Sequence, residues 1–542
     1  MEVIKIKLWN EVIGYLTWNE KNNFGSFQYE ESFFKKGLDI APLTMPISEA
    51  LRSNRFSFPR LPKTYLGLPG LLSDSLPDAF GNEIIDNWLL LQGKSKSQIT
   101  VPERLCYVGK RGMGALEFEP ALHPELNKST VIQIDNIIEV AKIMMEYRSN
   151  FKTNLKYDDS AILDIIKIAT SIGGARAKAV IAINDNTNEI RSGQVDAPAG
   201  FNHWLIKLDS LNDKLGEPLN FGKVEYAYYL MAKDCGINMT ECRLKEENGR
   251  HHFLTKRFDR EGNNKLHMQS LCALAHYDWS MPGLHSYEKV FATIRKMQLP
   301  FNETKQQFRR MVFNVIARNQ DDHTKNISFL MDKKGNWSLS PAYDLSYSYD
   351  PTGVYEKYQN LSINGKRDEF TKEDLTHLGN ELMIKNNKEI IEQVIDSVGN
   401  WRSYANSCEI PINMITSIEK THRLYLKLNN QSIKGIKLLN EKENLAFSYI
   451  KNNDMPSLVK LHQEGFKPSE LFISDICQSS TFSDQTKITA LTILGIDNPA
   501  LRLTNELKEL NSPAKVKVSS KNPERDIESE DNKLGRDSGL TR

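Results

Sequence analysis

ARNQDDHTKNISFL, residues 317–330, sets Asn, Gln, two Asp, His, Thr, Lys and Asn between an apolar helical run and an apolar strand-like run. A junction this polar calls for a reason. Asp321 and Asn326 are separated by four residues, the spacing of a protein-kinase catalytic loop, in which the Asp takes a hydroxyl proton and the Asn holds a metal ion. Downstream, ISFLMD (327–332) and WSLSPAY (337–343) flank Lys333-Lys334-Gly335-Asn336, a hairpin signal. An antiparallel hairpin returns the chain to its start, so Asp344 should lie close to Asn326. A carboxylate and an amide oxygen meeting there, with Asp321 beside them, make a hard oxygen site suited to Mg²⁺ carrying phosphates. The competing reading is local: Asn and Asp also favour helix caps and turns on their own account.

Upstream segments bear on the choice. HWLIK puts Lys207 at the end of an apolar strand, the arrangement of a lysine that grips ATP phosphates, and Glu225 follows on a helical pattern where it can fix the ammonium. SIGGARAK (171–178) offers Gly173 and Gly174, which let backbone N–H groups approach a polyphosphate, although Gly-Gly by itself is an ordinary turn signal. The order Gly loop, Lys, Glu, Asp-x₄-Asn, Asp is that of a protein kinase. No Walker GxxxxGK[ST] occurs, Arg318-Asn319-Gln320 precedes Asp321 in place of His-Arg, and Tyr343-Asp344-Leu345 stands where Asp-Phe-Gly would be. An ordinary eukaryotic-type kinase is thereby excluded.

From about residue 3 to about 425 the chain resembles the HipA-like serine/threonine kinases, toxins of bacterial toxin-antitoxin pairs. The motifs GLPGLLSDSLPDAFG, SIGGARAK, WLIK, KRFDR, NQDDHTKN and SPAYDLS carry the resemblance. It implies an α+β, bilobal protein-kinase-like fold, with a β-containing N-terminal lobe and a mainly helical C-terminal lobe. By position it implies Asp321 as catalytic base with His323 near the phosphates, and Asn326 and Asp344 as Mg²⁺ ligands. The ATP-binding set becomes Ser171, Gly173, Gly174, Lys178, Lys207, Glu225, Lys256, Phe258, His323 and Tyr343, with Lys256 and Phe258 framing adenine. Lys256 stands where the family more often has an acidic residue, a change that a hinge binding adenine through its backbone would tolerate. Ser171 matches the serine that such kinases autophosphorylate. The family also implies a protein substrate, an aminoacyl-tRNA synthetase in the best-known members, and a small HipB-like helix-turn-helix antitoxin through which DNA is engaged indirectly.

Composition is compatible with this. The 542 residues carry 70 Lys+Arg against 69 Asp+Glu, a net +1 that gives no global pull toward nucleic acid or anionic membrane. The six cysteines form no CxxC pair, which argues against a zinc site or a disulfide framework. The N-terminus alternates like a strand pair (3–8 and 12–17) and lacks a signal pattern, and no apolar run approaches the roughly 18 residues of a membrane span, so a cytoplasmic location is expected. The expected units are 1–125, the N-terminal subdomain; 126–265, carrying the Gly-rich loop and Lys207; 266–429, helical, with the catalytic and metal-binding loops; 430–510, a helical extension; and 511–542, a charged, Ser-rich tail expected to be disordered. Residues 133–170 and the segment after Asp78 have helical spacing. Within the extension, 444–466 looks like one ankyrin-type repeat, for which an ordinary helical hairpin is the simpler account. Two other classes compete with the enzyme: a catalytically idle ATP-binding module, against which Lys207, Asp321, Asn326 and Asp344 are all retained, and a DNA-binding regulator, for which no recognition helix stands out.

Overall fold

The computed structural model describes residues 3–77, 99–132, 178–209, 219–353, 355–426 and most of 442–504, with a few positions at 81–89 and 134. The helical pattern after Asp78 falls largely outside these residues, as do 133–170, the Gly-rich stretch with Ser171, Gly173 and Gly174, and the tail 511–542.

Strands β1 (Val3–Leu8) and β2 (Glu11–Asn19) form the expected hairpin, turning through Trp9 and Asn10 at φ 51 and 69. Two left-handed residues in succession give a turn whose twist matches that of its flanking strands. With β3 (Phe24–Tyr29), β4 (Arg55–Ser57) and β5 (Leu116–Glu119) they make an antiparallel sheet of order β4-β3-β2-β1-β5. Alternate side chains Ile4, Ile6, Leu8, Leu16, Phe27 and Phe118 point into one core, so this N-terminal unit closes at β5.

A second sheet has the order β7-β6-β8-β10-β9, from β6 (Lys178–Asn184), β7 (Ile190–Ser192), β8 (Phe201–Lys207), β9 (Cys242–Glu247) and β10 (Arg250–Lys256). The three central strands coincide with the apolar runs of the sequence. The edge strands do not: β7 lies in a stretch that reads as polar loop, and β9, CRLKEE, is mostly charged. An edge strand buries little, so it carries little of the alternation by which strands are recognised. The helix Phe221–Asp234 packs against this sheet closely enough that a Cβ on Gly222 would meet the His251 carbonyl oxygen at 2.1 Å. Glycine there lets the helix start in contact with β10.

Beyond the two-residue ladder β11 (Arg260–Glu261) and β12 (Asn264–Lys265) comes a third sheet, β13 (His267–Ser270), β14 (Ser328–Met331) and β15 (Trp337–Leu339). β14 and β15 are the expected hairpin, with Gly335 at φ 86 in its turn. Helices Tyr287–Lys296, Phe301–Ile316, Lys372–Glu381, Asn387–Gly399, Trp401–Ser407 and Ile412–Glu419 surround a core that includes Phe308, Phe313, Val394 and Trp401. The C-terminal extension contains helices Met455–Gln463 and Asp484–Ile493, which share a separate core of Ile450, Leu458, Leu461, Ile476 and Leu491.

The N-terminal unit is bolted to the rest by buried polar bonds. Asp259 is fully buried and accepts from Arg257 (2.9 and 2.7 Å), from Arg260 (2.7 Å) and from the Gly114 N–H (2.7 Å). Arg260 also donates to the Gly112 and Gly114 carbonyls, at 3.2 and 3.0 Å. Burial opposes the Asp259 charge, yet the two guanidinium groups hold its carboxyl well below the usual carboxylate range. Elsewhere along the seam Asp74 caps Ser270 at both its N–H (2.7 Å) and hydroxyl (2.8 Å), and Trp337 Nε1 donates to the Asp39 carbonyl at 3.1 Å. Removing one member of a buried ionic cluster strands the others, so Asp259→Ala should cost about 3–5 kcal/mol. Urea denaturation of the purified variant measures this.

Candidate active site

The second sheet places two lysines side by side. β6 and β8 pair antiparallel with Lys178 opposite Lys207, and β8 pairs with β10 so that Lys207 faces Phe253. Side chains alternate along a strand, so Lys178, Leu205, Lys207, Phe253 and Thr255 share one face, and all five line a single cleft. Lys207 bonds Glu225 of the Phe221–Asp234 helix at 2.5 Å and also pairs with Asp344, which follows β15. Burial works against the ammonium, but Asp344 and Glu225 together hold it firmly protonated. Asp344 itself sits at φ 56, a left-handed conformation that Asp tolerates, and against burial Lys207 and Lys178 keep it ionised.

The opposite wall comes from the polar junction. The helix Phe301–Ile316 ends at Ala317, and Arg318 turns the chain at φ 57. Asn326 Nδ2 donates to the Asp321 carbonyl at 2.8 Å, which commits the amide nitrogen and leaves the amide oxygen as that side chain's acceptor in the cleft. Ser348 Oγ accepts from the Gln320 and Asp321 N–H groups (2.8 and 3.0 Å) and donates to Asn319 Oδ1 at 3.0 Å. His323 Nε2 lies 3.6 Å from Asp321 Oδ1, with its ring beside Trp279. The hairpin thus does bring Asp344 to the Asn326 wall, as its symmetry about the turn requires.

Two adjacent carboxylates are treated in opposite ways. Asp322 is buried and accepts from Tyr287 Oη (2.8 Å), Gln359 Nε2 (3.0 Å) and the Asn360 N–H (2.7 Å); burial pushes it up to about 6 while these donors pull it back. Asp321 keeps 46% of its side chain accessible. Partial burial, then the charges of Asp344 and Glu356, push it up to about 7. Asp322 anchors the loop, and Asp321 is left half exposed beside it.

Of the remaining expected residues, the described ones, Lys256, Phe258 and Tyr343, fall at the far end of the same cleft. Phe258 and Tyr343 face each other with ring centroids 5.5 Å apart, and the Tyr343 hydroxyl contacts Ser328 Oγ at 2.6 Å. Lys256 lines the cleft at the end of β10, but its N–H donates to the Glu241 carbonyl at 2.9 Å and its carbonyl accepts from Thr240 at 2.9 Å. Main-chain donor and acceptor of Lys256 are thus both engaged within the fold. Asp322, Ser348, Asp74 and Met113 were not singled out from sequence. Only the doubled Asp of NQDDHTKN hinted at the first, and Met113 and Asp74 reach the cleft from the N-terminal unit, a relation that no local pattern encodes. The cleft spans about 1120 Å³ including its open mouth.

Residues 4–119 match the HipA N-terminal domain family and residues 170–402 the HipA-like C-terminal domain family. This chain is a HipA-like protein. The HipA-like chain is 24% identical over 235 residues to the Sinorhizobium fredii (strain NBRC 101917 / NGR234) protein named "Putative kinase Y4dM", a match covering 40% of this chain. It spans only 55% of that relative's length. In fold it is similar to a chain in the structure of the Shewanella oneidensis MR-1 toxin-antitoxin system HipA, HipB and its operator DNA, with TM-score 0.52 and 15% identity over 77% of this chain and 95% of that one.

The two carboxylates should separate in stability measurements without nucleotide or divalent cation. Asp322→Ala strands buried donors and should cost on the order of 3 kcal/mol. Asp321 has a folded pKa above its unfolded one, so its penalty is absent at low pH, grows as pH rises between the two values and is complete above about 7. Asp321→Asn should accordingly raise the melting temperature more at pH 8 than at pH 5, as differential scanning fluorimetry would report.

Proposed function

We propose that this HipA-like protein is an ATP-dependent serine/threonine protein kinase, its sheet-rich residues 126–265 and helical residues 266–429 acting as the two lobes of a kinase with the cleft between them. The observation that carries this reading is the single ammonium of Lys207 bound to both Glu225 and Asp344, in a cleft whose opposite wall presents Asn326, itself bonded to the Asp321 carbonyl. Phosphoryl transfer needs little covalent help from a protein; it needs positioned phosphates, compensated charge and an acceptor for the hydroxyl proton. Lys207 and Lys178 supply positive charge to the phosphates, with Glu225 fixing the orientation of Lys207. The donor set of Asp344 carboxylate and Asn326 amide oxygen fits Mg²⁺, which when bound would neutralise phosphate charge. The apolar end, with Phe258, Tyr343, Leu205 and Leu345, is suited to the purine.

The acceptor hydroxyl oxygen attacks the γ-phosphorus as the bond to the β,γ-bridging oxygen breaks, and ADP leaves. The hydroxyl proton passes to Asp321, whose carboxyl near 7 is matched to accepting it at neutral pH. The family likeness supports a protein substrate, with an aminoacyl-tRNA synthetase as the class to test first, and a HipB-like antitoxin that would bring DNA near only indirectly. Among the described residues no helix is long and apolar enough to cross a membrane, and we place the activity in the cytoplasm.

Transfer of labelled phosphate from ATP into host-extract proteins tests the reading. Asp321→Asn should abolish transfer while ATP binding persists, Asp344→Ala should lose both, and Lys207→Ala should raise KM for ATP and slow the reaction. Transfer by Asp321→Asn at the wild-type rate would remove Asp321 as the base. ATP binding without transfer by the wild type would leave an idle module instead.

Ser171 is proposed as the autophosphorylated residue. If the Gly-rich stretch cradles the phosphates, as the family likeness implies, a phosphate on Ser171 would add roughly −1.5 to −2 charges beside them and lower ATP affinity, making the reaction self-limiting. Mass spectrometry should find phospho-Ser171 in the active protein and not in Asp321→Asn.

A further inference from the structure

The cleft is not built by the kinase-like sheets alone. Met113, on the loop between the helix Val101–Val108 and β5, lines it together with Phe258, Met268 and Arg257. We propose that the nucleotide site is composite, with Met113 of the N-terminal unit forming a wall against the purine.

The placement is fixed by the bonds around it. The Gly114 N–H is bound by Asp259, the residue after Phe258, and the Gly112 and Gly114 carbonyls are both held by Arg260, so Met113 is clamped on either side by the KRFDR segment. A side chain on Gly114 would meet the Met268 backbone nitrogen at 2.9 Å, and Gly114 takes φ 72, so this loop sits directly on β13. Lys265 adds a bond to the Lys110 carbonyl at 3.0 Å and a pair with Glu117 at 2.9 Å. The clamp binds the loop to the Phe258 end of the cleft, whereas Lys207, Glu225 and Asp344 are gathered by their own contacts at the other. Methionine suits such a wall: a long, polarisable thioether makes favourable contacts with the edge of an aromatic ring and adapts to its outline. The inference rests on the kinase reading, because it assigns the purine of ATP to the Phe258 end.

That geometry separates base from phosphate. With full-length protein, isothermal titration is run with ATP and with inorganic tripolyphosphate, which has no base. Met113→Asp should weaken ATP by about tenfold or more, and Met113→Leu by no more than about twofold, because only the first puts a desolvated charge against the ring. Tripolyphosphate affinity should be the same in both variants and the wild type, and circular dichroism should confirm that both fold. Unchanged ATP affinity in Met113→Asp would overturn the proposal, as would an equal loss for ATP and tripolyphosphate. If the wild type binds tripolyphosphate but not ATP, the purine assignment fails and the proposal with it; if it binds neither, the kinase reading itself is at fault and this inference falls too.

Discussion

Lys207 reaches Glu225 on one side and Asp344 on the other, so a strand, a helix and the segment leaving a hairpin all converge on one buried ammonium. Burial by itself would favour the neutral amine. Two carboxylates from different parts of the chain reverse that preference, so the ammonium ties all three elements together. The requirement runs outward from there. Glu225 can reach only because Gly222 lets its helix start against β10, and Asp344 can reach only because the β14–β15 turn closes in register. Lys178, directly across from Lys207, adds a second positive charge to the same face, a like-charge pairing in the sheet that Asp344 offsets.

The parts of this arrangement that were readable in the sequence are those with a local signature. Asp-x₄-Asn, the Lys-Lys-Gly-Asn turn and the apolar run ending at Lys207 each have a period or a spacing imposed by backbone geometry, and the structure has the corresponding elements. Charged or very short edge strands such as β7 and β9 have none. Neither does the difference between Asp321 and Asp322: neighbours in sequence, they diverge because Tyr287, Gln359 and Asn360, supplied by two distant segments, close over one of them. The KRFDR segment shows the same limit from another side. Its Lys256 and Phe258 could be assigned to a nucleotide hinge, but Arg257, Asp259 and Arg260 turn out to serve the seam with the N-terminal unit. The Lys256 backbone, for its part, is engaged with Glu241 and Thr240.

The division of labour between the two Asp residues also explains how the loop after Arg318 can be held rigidly and still keep one carboxylate accessible. One carboxylate spends its acceptor capacity on holding the loop; the other is left short of donors and close to Asp344, which raises its affinity for a proton. Ser348 completes the frame by fixing the backbone immediately before the reactive side chain. Strength and reactivity are thus separated by one peptide bond.

The β14–β15 hairpin belongs to two cores at once: Met331 is packed in the core of the N-terminal unit and Leu339 in that of the helical half, with Trp337 bordering both. The segments that enter and leave this hairpin carry Asn326 and Asp344. A chain without its first third would have a hairpin with an open apolar flank and an Arg260 deprived of the Gly112 and Gly114 carbonyls, so the two halves depend on each other for closure. Among the described residues the C-terminal helices close around a core of their own, that of Leu458 and Leu491, so their loss should leave both flanks of the hairpin covered.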